Sequence, residues 1–78
     1  MRRRRKARKQ AALTIPFTAQ QLDQKLAYWG NRCWICNGPQ EQVDHVIPLS
    51  KDGPHCLANL RPICVRCNSR KRDRWPYP

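Results

Sequence analysis

The sequence predicts a single small α+β domain, and three observations carry that prediction. At 78 residues the chain has room for one domain but not for a large apolar core, and chains of this length usually need a metal, a disulfide or a partner as supplement. Its apolar pattern changes period, from helical spacing at Leu22, Leu26 and Trp29, to an alternating run at Gln42–Ile47, and back to a helical pattern after Val65. Two CxxC pairs, Cys33–Cys36 and Cys64–Cys67, stand 27 residues apart. Each pair sits on a tight turn that aims two sulfurs at one tetrahedral ion, so the pairs form a four-thiolate box for structural Zn²⁺. Coordination then carries much of the folding free energy, and the domain is expected to be largely unfolded without the metal.

Composition narrows the partners. The formal charge is +11, and seven of the sixteen basic residues fall in one block: Arg2, Arg3, Arg4, Arg5, Lys6, Arg8 and Lys9. Over the rest of the chain nine basic residues face five acidic ones, a net +4. A polyanion is the expected partner. Five cysteines cannot all pair within one chain, and the arginine-rich start is not followed by the apolar stretch of a secretory signal. Both points favour a cytoplasmic metal site over a disulfide framework. Cys56, outside both pairs, is expected to be a small, partly buried filler. No segment is long and apolar enough to span a bilayer.

Taken in order, residues 1–12 read as a disordered basic arm, a like-charge block that repels itself and suits phosphate contact or mere solubility. Residues 13–30 hold a capped helix. Ile15-Pro16-Phe17 is extended because the residue before proline avoids helical geometry. Thr18 with Gln21 three positions on makes a capping box, Phe17 and Leu22 fit a hydrophobic staple, and Gly30 ends the helix. Its Leu22–Leu26–Trp29 stripe is expected to pack as a lid on the core. Residues 31–74 form the main domain. Asn31–Gly38 is the first knuckle, with Trp34 and Ile35 inside its turn. A strand runs from Gln42 to Ile47 and stops at Pro48, and Ser50-Lys51-Asp52-Gly53-Pro54 reverses the chain. Leu57–Ile63 carries a second short strand or an irregular return, and the pattern from Val65 is helical until Pro76. The tail, residues 75–78, is expected to fold back with Trp75 as a packing residue.

Between the knuckles lie Asp44-His45 and Asn59-Leu60, and Asn68 follows the last cysteine. With CWIC, DH followed by PLS, a glycine turn, NL, and CxxCN with a basic residue three positions on, the segment Cys33–Lys71 resembles the HNH endonucleases of the ββα-metal class in their zinc-box form. The third position of the namesake pattern is occupied here by Asn68 in place of histidine, the HNN form of the family. The resemblance implies a zinc-stabilised ββα-metal fold that hydrolyses DNA, as in small phage or restriction proteins, leaving 5′-phosphate and 3′-hydroxyl ends.

The resemblance also implies roles. His45 is the general base, Asp44 and Asn68 hold the catalytic divalent ion, and Asn59 bridges backbone groups of the loop to orient His45. A carboxylate and a carboxamide oxygen suit Mg²⁺ or Mn²⁺ better than zinc. On an ideal strand Asp44 and His45 face opposite ways, so both reach one phosphate only at a bulge or a strand end. Arg66, Arg70, Lys71, Arg72 and Arg74 crowd the last helix, and beside a phosphate site Arg70, Lys71 and Arg74 read as contacts to the DNA backbone. His55 matches no family position and reads as a surface or loop histidine. The expected partner is double-stranded DNA, bound by a monomer, a weak dimer, or a larger assembly. Two rival readings stay open at the level of sequence: a non-catalytic zinc module that binds nucleic acid, and a structural adaptor.

Overall fold

The computed structural model describes residues 13–77. Its first element, helix α1 (Ala19–Tyr28), begins where the capping box places it. Thr18 Oγ1 accepts from the Gln21 N–H at 3.0 Å, and Gln21 Oε1 accepts from the Thr18 N–H at 2.8 Å, so two otherwise orphaned donors are satisfied reciprocally. Gly30, at φ 69°, takes the left-handed conformation that closes the helix. Leu26 is buried while Leu22 and Trp29 are half-buried, as a lid requires. Lys25 Nζ donates to the Leu57 carbonyl at 2.8 Å and ties the helix to the segment that leads into the second strand.

Strand β1 (Gln42–His45) pairs antiparallel with β2 (Leu60–Ile63), Asp44 opposite Arg61 and His45 opposite Leu60. Helix α2 (Val65–Lys71) follows, which completes the α+β order of helix, knuckle, strand, loop, strand, knuckle and helix. The core lies at the knuckles: Cys33, Ile63, Cys64 and Cys67 are buried together, with Trp34 and Ile35 packed against them. Sulfur replaces the apolar bulk that so short a chain lacks.

β1 ends at His45, two residues before the expected Ile47, because the ladder is not returned beyond it. The Val46 N–H still reaches the in-register Asn59 carbonyl at 2.9 Å, but the Asn59 N–H turns back to the Cys56 carbonyl at 3.0 Å and the Ile47 N–H goes to Asn59 Oδ1 at 2.9 Å. Asp44 and His45 therefore stand at a strand end. The return from Leu57, expected as a short strand or an irregular segment, is a 3₁₀ turn, Leu57–Asn59, followed by β2. In the reversal, Asp52 adopts φ 63°, and a Cβ on Gly53 would lie 1.8 Å from the Ile47 carbonyl oxygen, so only glycine fits there.

Helix α2 also stops short of Pro76. Arg72 leaves helical geometry at φ 50°, because after Cys67 no apolar residue appears until Trp75, leaving further turns nothing to pack. The tail does not close over the core as expected, and Trp75 keeps 43% of its surface exposed. Among the described residues no helix is long and apolar enough to cross a membrane.

Candidate functional site

The four sulfurs of Cys33, Cys36, Cys64 and Cys67 lie within 4.8 Å of one another, with Cys36 and Cys64 3.7 Å apart. A zinc tetrahedron with Zn–S near 2.3 Å has edges of about 3.8 Å, so the donor set fits Zn²⁺ in size and in kind. Backbone amides serve the sulfurs: Ile35 N–H points at Cys33 Sγ (3.4 Å), Gly38 N–H at Cys36 Sγ (3.3 Å) and Cys67 N–H at Cys64 Sγ (3.4 Å). Burial raises the Cys33 thiol, but amide donors from Cys36, Cys64 and Ile35 and the Cys36 thiol outweigh it and bring it down to about 6. Cys67 is pushed up to about 12, first by burial and then by the sulfurs of Cys64, Cys36 and Cys33. Four thiolates this close need a cation between them, and Zn²⁺ fits that need. Cys56 is buried and stands outside the cluster, as expected of a filler.

One face of the domain gathers the second set. Asp44, His45 and Asn68 line a single cleft of about 270 Å³, with Val43, Pro48 and Ser50 on one wall and Arg72 and Asp73 on another. The strand end puts Asp44 and His45 there, and α2 brings Asn68 to them. Asn68 Nδ2 donates to Gln42 Oε1, which turns its carboxamide oxygen into a free acceptor. Asp44 is 5% exposed, and each of its oxygens has one partner: Lys71 Nζ at 3.3 Å from Oδ1, and Trp34 Nε1–H donating to Oδ2 at 3.1 Å. Each oxygen keeps a lone pair for a hard cation, so the Asp44 and Asn68 oxygens fit Mg²⁺ or Mn²⁺.

Asn59 is buried and bridges the loop, as the resemblance implies. Besides receiving the Ile47 N–H, its Nδ2 donates to the carbonyls of Ile47 (3.0 Å) and Pro54 (2.8 Å), which pins the chain on both sides of the reversal. Burial holds the His45 imidazole below its ordinary value; His55 pushes the same way, Asp44 opposes, and Lys71 adds to the lowering. The neutral ring, which can accept a proton, is the favoured form.

Two expectations need correction. Lys71 is not a surface contact for DNA: it is fully buried (0% exposed), with its ammonium donating to the His45 carbonyl at 3.1 Å beside Asp44. It stands four positions after buried Cys67, so both lie on the inward face of α2, and that spacing is the available signal. His55, read as a surface or loop histidine, does lie in the loop but is packed rather than at the surface. It is half-buried, and its Nδ1 lies 2.8 Å from His45 Nε2. The link crosses an irregular loop, which no local pattern foretells. Trp34, expected inside the knuckle turn, also positions Asp44, and Arg61 lies 4.9 Å from both the Trp29 and Trp34 rings. Arg70 and Arg74 are exposed. Arg2, Arg3, Arg4, Arg5, Lys6, Arg8 and Lys9 lie outside the described residues.

The family model described as HNH endonuclease matches residues 31–74, more than half of the chain. No curated protein and no solved structure matches it. Because that match spans both knuckles, the strand end with Asp44 and His45, the Asn59 bridge and Asn68 in one stretch, the chain belongs to the HNH endonuclease family.

Proposed function

We propose that this protein is a metal-dependent endonuclease that hydrolyses DNA phosphodiester bonds, with His45 as general base and Asp44 and Asn68 as ligands of Mg²⁺ or Mn²⁺. The observation that carries the reading is the shared cleft: a half-buried imidazole, a carboxylate and a free carboxamide oxygen converge on one space, with Arg72 at its wall. Neutral His45 takes a proton from water, and the hydroxide so formed attacks phosphorus as the P–O3′ bond breaks and the departing oxygen takes up a proton from solvent. Asp44 is held for its role by Lys71 and Trp34, and Asn68 by Gln42. A divalent ion, when bound, supplies charge stabilisation at the phosphate and the departing oxygen. Arg70 and Arg74, with the basic arm, bind the DNA backbone without reading its sequence.

Supercoiled plasmid incubated with the zinc-loaded protein tests this. Conversion to nicked or linear DNA in Mg²⁺ or Mn²⁺, blocked by a chelator that leaves the zinc in place, is the expected outcome. Binding without cleavage of duplex or single strand in any divalent ion would transfer the reading to a nucleic-acid-binding zinc module.

A further inference from the structure

His55 is the residue beside His45 that neither the zinc frame nor the proposed ion site uses. Its contact with His45 is a hydrogen bond at 2.8 Å, with ring centroids 5.1 Å apart and planes tilted by 34°. The surroundings hold His55 in place. Its N–H donates to the Leu13 carbonyl at 2.8 Å, its own carbonyl accepts from the Ile15 N–H at 3.0 Å, and the Phe17 ring lies 5.3 Å from its imidazole. The neighbouring Pro54 carbonyl is tied to Asn59.

A hydrogen bond between two neutral imidazoles needs one donor and one acceptor, and the choice decides what His45 can do. If His45 Nε2 accepted, its proton would sit on Nδ1 and no lone pair would remain for water. If His45 Nε2–H donates, Nδ1 stays bare. We infer that His55 is a positioning residue whose Nδ1 accepts from His45 Nε2–H, fixing His45 in the tautomer with a bare Nδ1; the inference rests on His45 being the base. The water proton then arrives on His45 Nδ1, hydroxide goes to phosphorus, and the resulting imidazolium still donates to His55 through Nε2. The extended segment Leu13–Ile15 serves the same end by gripping the His55 backbone on both sides. The proposed base and the root of the basic arm are thus joined through one side chain.

Long-range ¹H–¹⁵N correlation spectra of the zinc-loaded protein, taken where both rings are neutral, read the tautomers directly. The expected pattern is a protonated Nε2 and a bare Nδ1 on His45, and the reverse pattern overturns the inference. In His55→Ala the two His45 tautomers should mix, and kcat on plasmid should fall about tenfold to a hundredfold with KM for DNA unchanged, as when an orienting partner is removed. His55→Gln, whose carboxamide oxygen can accept the same bond, should recover part of both. An unchanged His45 tautomer in His55→Ala overturns the inference equally; should that variant fail to fold, the parent spectrum and His55→Gln decide. If the parent has the expected tautomer yet cuts no nucleic acid in any divalent ion, the proposed function fails and the role of His55 in fixing the ring stands.

Discussion

Replacing Lys71 by Met should be one of the most damaging single changes in this protein that leaves the cysteines intact. The ammonium is fully buried, 3.3 Å from Asp44 Oδ1 and 3.1 Å from the His45 carbonyl. Met fills nearly the same volume, so the change removes charge and donors without opening much of a cavity. What remains is a carboxylate 5% exposed, held only by the Trp34 N–H. Breaking a buried pair in this way costs about 3–5 kcal/mol, set against a total stability of about 5–15 kcal/mol for a typical domain. At roughly 4–8 °C per kcal/mol for a domain of this size, the melting temperature of the zinc-loaded protein should drop by roughly 12–40 °C. Lys51→Met, at an exposed site, is the control and should stay within about 0.5 kcal/mol of the parent. Asp44→Asn added to Lys71→Met should recover much of the loss, since the amide needs no countercharge and can still accept from Trp34. Thermal or urea unfolding of the parent, Lys71→Met, Asp44→Asn and the double variant measures the coupling. If Lys71→Met is as stable as the Lys51→Met control, or if adding Asp44→Asn recovers nothing, the ammonium is not compensating Asp44 and the argument for its placement fails.

Cys64→Ser should lose zinc and most of its folded structure, because the metal contributes about 10–16 kcal/mol at comparable sites, whereas Cys56→Ser should keep one zinc per chain by metal analysis. Asn59→Ala should destabilise by about 1–3 kcal/mol for each backbone group left unpaired in the loop, read by the same unfolding curves. Deleting residues 1–9 should flatten the salt dependence of DNA binding by at most about 6 log units per log unit of salt, the limit for seven phosphate contacts, while leaving cleavage intact at saturating DNA. An unchanged slope would mean that the arm does not touch phosphate.

What the sequence revealed depended on how local the governing physics is. The capping box at Thr18 and Gln21, the Gly30 stop and both knuckles follow from spacing within a few residues, and all of them form as read. The Asp-Gly reversal is equally local, and the backbone contact at Gly53 supplies its reason. Lys71 was obscured by its neighbours: within a run of basic residues its charge suggested solvent, while its register with Cys67 pointed inward. The end of β1 differs from the expected one because the Asn59 N–H turns back to Cys56 and its side chain takes the Ile47 N–H, which alternation of apolar residues does not report. The His45–His55 bond was beyond reach for a related reason: it depends on the path of an irregular loop between them, and on Leu13 and Ile15 reaching across to His55.

The central claim, that the cleft cuts DNA through His45, meets its most direct test in single-turnover cleavage of plasmid by the parent and by His45→Ala at the same Mn²⁺ concentration. Zinc content and DNA affinity should match between the two, since neither the sulfur cage nor the arm uses the imidazole. The cleavage rate should fall by about 10²–10⁴, the usual contribution of a general base. Equal rates in the two proteins, with zinc and DNA binding matched, would contradict the assignment.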